Sequence, residues 1–177
     1  MSGNVKILPH YTYDDYKHWD GRWELIEGMP HAMSPLPIPK YQRIAARLTT
    51  EFSVQFRDCQ ACTVYQPLDY RVAEDTIVQP DMLIMRNEIT KNYLDFSPEL
   101  VAEILSPATA LKDRYTKYFI YESQAIRYYL IISPDTEEVE IYELENNNYV
   151  QRQKGRDFSY YFSFGTCKAT VDFKRIW

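Results

Sequence analysis

The sequence predicts an α/β fold in which a mixed β-sheet is flanked by helices. Two observations predict it. The first is a helix over residues 41–56, where Ile44 and Leu48 belong to a series of apolar side chains that recurs every four positions. The second is a succession of short apolar segments with strand character, interrupted by a second helix at residues 110–123. This order of elements places one helix on each side of the sheet.

A short helix and a hairpin precede this unit. Thr12 is a suitable N-cap for a helix that ends near Trp19. Residues 22–27 alternate apolar and polar side chains as a strand does, and Glu27-Gly28 supplies a turn into a second strand at residues 29–33. We therefore expect an N-terminal β-hairpin.

Further strand segments follow the long helix. Pro80 has no backbone donor and breaks the third of them. A polar, partly helical excursion is expected at residues 87–96. The predicted strands are Cys62–Gln66, Leu68–Ala73, Ile77–Met85, Glu99–Leu105, Arg127–Ile132, Glu137–Leu144 and Tyr149–Gln153.

Composition restricts the class of protein. The 177 residues include 16 tyrosines and only 5 glycines, which excludes a disordered or collagen-like chain, and we expect residues 1–177 to form a single domain. No segment has the ~18 consecutive apolar residues of a membrane span, so we expect a cytoplasmic protein without a membrane partner. The 3 cysteines fit a reducing compartment, and Cys59 and Cys62 are expected to be free thiols because no second pair completes a zinc site.

Glu103 interrupts a predicted buried strand. All the residues from Leu100 to Leu105 except Glu103 are apolar, so its carboxylate lies where an apolar side chain is expected. An ionised carboxylate in such surroundings is costly unless it is paired or holds a metal. Asp81 stands directly before four apolar residues, so two acids lie within predicted core strands. Mg²⁺ binds carboxylates, backbone carbonyls and water, which Asp81, Glu103 and the carbonyl of Ile104 can supply. The alternative is that each acid forms a structural pair with an arginine.

The helix after Glu103 carries a lysine that can serve these acids. Asp113 and Lys117 are four residues apart and share a helix face. Lys112 is in the first turn, about 140° around an α-helix from Lys117, and is expected to point into solvent. The alternative is that both lysines are solvated surface charges. The side chains expected to pack on the sheet are Leu111, Tyr115, Tyr118 and Phe119.

Several short motifs occur along the chain in a characteristic order. They are Trp23-Glu-Leu-Ile-Glu-Gly28, Met33-Ser-Pro35, Gln79-Pro-Asp81, Glu103-Ile-Leu-Ser-Pro107 with Thr109, Asp113 and Lys117, and Tyr128-Tyr-Leu130. Together they resemble the Uma-two restriction endonuclease family of the PD-(D/E)XK nuclease superfamily. Tyr41 stands where relatives often carry a histidine.

The resemblance implies a restriction-endonuclease-like core and assigns roles to site residues. It implies that Asp81 is the aspartate of the PD motif and that Glu103 is the second metal ligand. The lysine of the superfamily pattern would fall at Leu105, so Lys117 is implied as its replacement. Glu24, in the hairpin motif, is implied to line the same site.

These expectations describe a Mg²⁺- or Mn²⁺-dependent endonuclease that hydrolyses phosphodiester bonds of DNA. The alternative is a catalytically inactive nuclease fold that serves as a binding or assembly module. A nucleotide-dependent enzyme is disfavoured because the chain has no G-x-x-x-x-G-K or G-x-G-x-x-G motif. The formal net charge of −5 leaves one subunit few phosphate contacts, so we expect a homodimer, with Tyr160-Tyr-Phe162 either in its interface or in the core.

Overall fold

Strands contain more of the described residues than helices do. This computed structural model describes residues 8–33 and 38–177, so the motif Met33-Ser-Pro35 lies partly outside the described residues. The elements in chain order are α1 (Tyr13–Tyr16), β1 (Trp23–Ile26), β2 (Met29–Ala32), α2 (Pro39–Gln55), β3 (Thr63–Tyr65), β4 (Tyr70–Ala73), β5 (Thr76–Val78), β6 (Met82–Met85), β7 (Leu100–Ile104), a π-helical segment (Lys112–Lys117), α3 (Tyr118–Ser123), β8 (Tyr128–Ser133), β9 (Glu138–Glu145), β10 (Asn148–Gly155), β11 (Ser159–Phe164), β12 (Cys167–Asp172) and a 3₁₀ turn (Phe173–Ile176).

A six-stranded mixed sheet forms the centre of the fold. Its strand order is β10-β9-β8-β7-β6-β3; β7 and β8 pair in parallel, and the other neighbours pair antiparallel. Every residue of β7 and β8 is buried, as expected for strands covered on both faces. One face packs against Ile44, Leu48 and Phe52 of α2, and the other packs against Tyr121 of α3. The predicted α/β fold with helices flanking a mixed sheet is confirmed.

A smaller antiparallel sheet, with the order β2-β1-β5-β4, contains the predicted N-terminal hairpin. Its turn residues Glu27 and Gly28 have φ angles of 50° and 75°, the left-handed conformation that such two-residue turns require. A side chain at position 28 would also collide with a neighbouring ring, because an added Cβ would lie 2.2 Å from Nδ1 of His10. The hairpin is therefore specified by its turn.

The chain passes from the small sheet to the large one at residues 79–81. The break predicted at Pro80 within residues 77–85 is confirmed, and it separates strands of different sheets, because β5 belongs to the small sheet and β6 to the large one. Pro80 has no N–H group for either ladder and separates the two strands. Asp81 therefore lies at the junction of the sheets, directly before β6, and not within a strand.

A C-terminal hairpin of β11 and β12, which we did not predict, covers the α2 side of the central sheet. Phe162 is fully buried there, whereas Tyr161 is 53% exposed. Core packing therefore accounts for the buried aromatic residue of the Tyr160–Phe162 segment.

The excursion at residues 87–96 contains no helix, contrary to the prediction. The backbone of Leu94 pairs with the β4 region instead: its N–H donates to the carbonyl of Asp69 and its carbonyl accepts from the N–H of Arg71, both at 2.8 Å. Among the described helices, none is both long and apolar enough to span a membrane.

Cys59 forms a disulfide with Cys167, which corrects the prediction that Cys59 is a free thiol. Cys62 is free and buried, as expected. The bonded cysteines are 108 positions apart in the sequence and become neighbours only when the C-terminal hairpin packs beside α2. No local sequence pattern relates the two positions.

Reduction of this disulfide is expected to lower the free energy of unfolding by about 2–4 kcal/mol, because the cross-link restricts the unfolded chain. Urea unfolding with and without dithiothreitol measures the difference. The control is Cys167→Ser, whose stability should not respond to the reductant. Equal stability of the oxidised and reduced wild-type protein would contradict the prediction.

Candidate active site

Asp81 and Glu103 lie at one end of the paired strands β6 and β7. Met82 pairs with Ala102, Asp81 directly precedes Met82 and Glu103 directly follows Ala102, so the two acids lie at the same end of the β6–β7 pair. Both side chains line the same cavity. Oδ2 of Asp81 also accepts a hydrogen bond of 2.8 Å from the backbone N–H of Ile104. The structure therefore brings together the three residues that the sequence proposed as a metal site.

Both hydrogen bonds of the Glu103 carboxylate use the same oxygen. Its Oε1 accepts from Nζ of Lys117 at 2.9 Å and from the hydroxyl of Tyr121 at 2.6 Å. No described residue forms a hydrogen bond to Oε2. Both donors therefore hold Glu103 through Oε1.

The Lys117 ammonium lies at the centre of a buried charge cluster. Its Nζ is 2.6 Å from Glu24, 2.9 Å from Glu103 and 3.5 Å from Asp113, and its side chain is 2% exposed. The alternatives of an arginine partner for Glu103 and a solvated Lys117 are both wrong.

Glu24, the second residue of β1, connects both lysines to the rest of the site. Its Oε1 accepts from Lys117 and from the backbone N–H of Gln79, the latter at 2.9 Å, and its Oε2 accepts from Lys112. The side chain is fully buried. Glu24 therefore positions the two ammonium groups. The sequence analysis predicted only that Glu24 lines the site.

The π-helical segment explains why both lysines reach Glu24. Its hydrogen bonds join residues five apart, so Lys112 and Lys117 lie on nearly the same face. The angle of about 140° applies to an α-helix. The prediction that Lys112 points into solvent is therefore wrong: its side chain is only 17% exposed and is bonded to Glu24.

The π-helical segment and α3 pack on the sheet through a polar face, whereas the prediction was that an apolar face packs there. Asp113, Lys117 and Tyr121 are buried. Of the predicted packing residues only Tyr118 is partly buried, and the exposed fractions of the others are 76% for Leu111, 61% for Tyr115 and 63% for Phe119. The two glutamates on β1 and β7 are buried with their strands and require a cation there. The free energy gained by placing a cation beside these glutamates exceeds the free energy that burial of three apolar side chains would give.

The cluster is electrically unbalanced. It contains four carboxylates and two ammonium groups, a net charge of −2 when all are ionised: Glu24, Asp81, Glu103, Asp113, Lys112 and Lys117. Burial raises the pKa of Glu103 well above its usual value, and Lys117 offsets this only in part. Burial also raises the pKa of Asp81 and of Asp113.

Glu24 and Lys117, in contrast, remain ionised. Burial raises the pKa of the Glu24 carboxyl, but Lys117 and Lys112 outweigh it and keep the pKa below its usual value. Burial lowers the pKa of Lys117, but its carboxylate neighbours outweigh this and raise the pKa well above its usual value.

A cavity of about 320 Å³ opens at the acids. Its lining includes Asp81, Glu103, Asp113 and both lysines, with Tyr41 contributed by α2. Burial and nearby carboxylates raise the pKa of Tyr41 to about 12, so the hydroxyl is neutral at pH 7. That buried hydroxyl has no hydrogen-bond partner of normal geometry among the described residues. Tyr41 therefore lines the cavity as a neutral hydroxyl near Ser106.

The residues present fit one divalent cation. Within the described ranges, no group of three or more His, Cys, Asp or Glu side chains is arranged to hold a metal ion. The sequence-predicted ligands Asp81 and Glu103 both line the cavity, as does Asp113, whose buried Oδ1 has no hydrogen-bond partner among the described residues; backbone carbonyls and water are the other donors available. Mg²⁺ is commonly bound through one or two carboxylates and keeps several waters. One such ion also neutralises a charge of −2.

Two tyrosines that support the cluster were missed by the sequence analysis. Tyr121 donates to Glu103, and the hydroxyl of Tyr129 donates to the carbonyl of Asp113 at 2.8 Å. The signal for Tyr121 was its spacing of four from Lys117. No comparable local signal marks Tyr129, which lies on β8.

Comparison with known proteins gives the fold and the family. The structure is similar to the crystal structure of a "putative nuclease belonging to DUF820" from Anabaena variabilis, with a TM-score of 0.74 and 15% identity over 94% of this chain and 97% of the other. At this identity the likeness concerns the fold. Comparison with curated proteins returned no match. The model of the Uma2 family, described as "Putative restriction endonuclease", matches residues 11–159, and the chain belongs to this family.

Proposed function

We propose that the protein is a metal-dependent endonuclease that hydrolyses phosphodiester bonds of DNA. The observation that carries the proposal is the pair Asp81 and Glu103, which lie at the same end of two paired strands, line one cavity and are accompanied by the buried ammonium of Lys117. Membership of the Uma2 family supports a nuclease activity and a nucleic-acid partner.

Asp81, Glu103 and the carbonyl of Ile104 hold Mg²⁺ or Mn²⁺ in this proposal. The bound ion supplies an activated water and stabilises negative charge on the scissile phosphate. Lys117 orients Glu103 through Oε1, and its ammonium contributes positive charge beside the phosphate. Glu24 is a positioning residue for Lys117 and Lys112.

The second candidate function is a catalytically inactive binding or assembly module. It is favoured by the contacts of Lys117, whose ammonium satisfies Glu103 without any metal ion. The two candidates differ in their response to Mn²⁺: a functional site is stabilised by the ion in thermal unfolding, and an inactive one is not.

The test uses Asp81→Asn, with Asp58→Asn, a substitution of an exposed acid away from the cavity, as the matched control. We expect Asp81→Asn to lose Mn²⁺ binding in calorimetry and cleavage of DNA in Mg²⁺, because it removes one of two carboxylate ligands. Asp58→Asn should retain both. Single-stranded, double-stranded and branched substrates are compared in the same assay. Equal Mn²⁺ binding by Asp81→Asn and wild type would overturn the metal assignment.

A further inference from the structure

A second cavity of about 690 Å³ adjoins the candidate active site. The two cavities share Ala108, Thr109 and Lys112, so Lys112 stands at their boundary. One wall is the edge strand β2 and the other is the π-helical segment. The additional lining residues are Pro30, His31, Ala32, Leu111, Tyr115 and Thr116.

The two cavities differ in charge. Three carboxylates line the first cavity, whereas no carboxylate is found among the described residues that line the second. The charged side chain of the second cavity is Lys112; burial and nearby Lys112 lower the pKa of His31, so its imidazole is neutral at pH 7. This lining favours an anion, such as a phosphate group, over a cation.

Lys112 can turn toward such an anion without leaving Glu24 unpaired. Glu24 also contacts Lys117 and the backbone N–H of Gln79. Lys112 is the more exposed of the two lysines, and of the two only Lys112 lines both cavities. It is therefore placed to contact a phosphate at their boundary.

Tyr115 gives the second cavity an aromatic wall. Its ring is on the solvent side of the segment because the polar face packs on the sheet. An exposed aromatic ring beside a basic group is the combination on which unpaired bases stack. A duplex, in contrast, is bound mainly through many phosphate contacts, which a chain of net charge −5 supplies poorly.

We propose that the second cavity binds an unpaired nucleotide adjacent to the scissile phosphate, with its base on Tyr115 and its phosphate on Lys112. This proposal rests on the proposed nuclease function and specifies its substrate as single-stranded or locally unpaired nucleic acid.

Fluorescence anisotropy with a short fluorescein-labelled single-stranded DNA in EDTA tests the proposal, since binding is then measured without cleavage. We expect Tyr115→Leu, which keeps an apolar side chain but removes the ring, to weaken binding about tenfold. Lys112→Gln should weaken binding and reduce its salt dependence. The matched control is Phe119→Leu, on the same exposed face but outside the cavity lining, and it should bind as wild type does.

Unchanged affinity of Tyr115→Leu, no binding by the wild type, or tighter binding of duplex than of single strand would each overturn the proposal. Sedimentation of the same variants separates a protein interface from a nucleotide site. If Tyr115→Leu converts a dimer to a monomer, this face binds a second copy and the proposal is wrong. Cleavage in Mg²⁺ is assayed separately. If the wild type does not cleave, the nuclease function is overturned, and the anisotropy result alone decides whether the second cavity binds a nucleotide.

Discussion

Replacing Lys117 with methionine is expected to lower the free energy of unfolding by about 3–5 kcal/mol in metal-free solution. Lys117 is 2% exposed and contacts three carboxylates, Glu24, Glu103 and Asp113. Methionine fills a similar volume without a charge, so buried carboxylates would face one another with one fewer cation. Breaking a buried pair by removing one partner leaves an uncompensated charge, which explains the size of the effect.

Urea unfolding in EDTA measures this change. The control is Lys17→Met, because Lys17 pairs with Asp14 at the exposed surface and its removal should leave stability unchanged within error. The double variant Glu24→Gln/Lys117→Met removes one carboxylate with the ammonium and should recover part of the loss. Equal stability of Lys117→Met and wild type would show that the carboxylates do not depend on this ammonium.

The sequence indicated the acids of the site because each interrupts an apolar stretch. Glu103 is flanked by buried residues throughout β7, and Asp81 precedes the buried β6. The pairing of β6 with β7 then brings them to the same end of the sheet, which the sequence did not specify. The chemistry was predictable from local context, whereas the distance between the acids depends on register.

Hydrophobic periodicity did not predict which face of the helix after β7 packs on the sheet. Counting apolar residues places Leu111, Tyr115 and Phe119 against the sheet. The structure turns them outward because the buried glutamates on β1 and β7 must meet Lys117. The identity of the inward face was set by side chains on two other strands, and periodicity within one helix contains no information about them.

The π-helical segment adds a further difference that an α-helical wheel cannot represent. A five-residue hydrogen-bonding pattern aligns Lys112 with Lys117 on one face. Such segments are frequent at functional sites. Here the segment supplies a second ammonium at the boundary of two cavities, where an α-helix would have directed Lys112 away.

Replacing Glu103 with glutamine is expected to separate activity from stability. Cleavage in Mg²⁺ should fall roughly a thousandfold, because the neutral amide removes a charged metal ligand. Metal-free stability at pH 7 should be equal to that of wild type or higher. Both contacts of Glu103 use Oε1, and an amide oxygen in that position accepts from Lys117 and Tyr121 as well. The amide nitrogen takes the place of Oε2, which no described residue engages.

The pH dependence of stability tests the same substitution independently. Burial raises the pKa of Glu103 well above its usual value, so its contribution to stability is fully present below about pH 4 and is lost as the pH rises through the folded pKa. Glutamine does not ionise, so the variant does not lose stability in this way as the pH rises. The difference in unfolding free energy between Glu103→Gln and wild type should therefore move in favour of the variant with rising pH in EDTA, as followed by urea unfolding. A variant with a lower free energy of unfolding than wild type at pH 7, and with no such trend, would identify Glu103 as part of a structural ion pair.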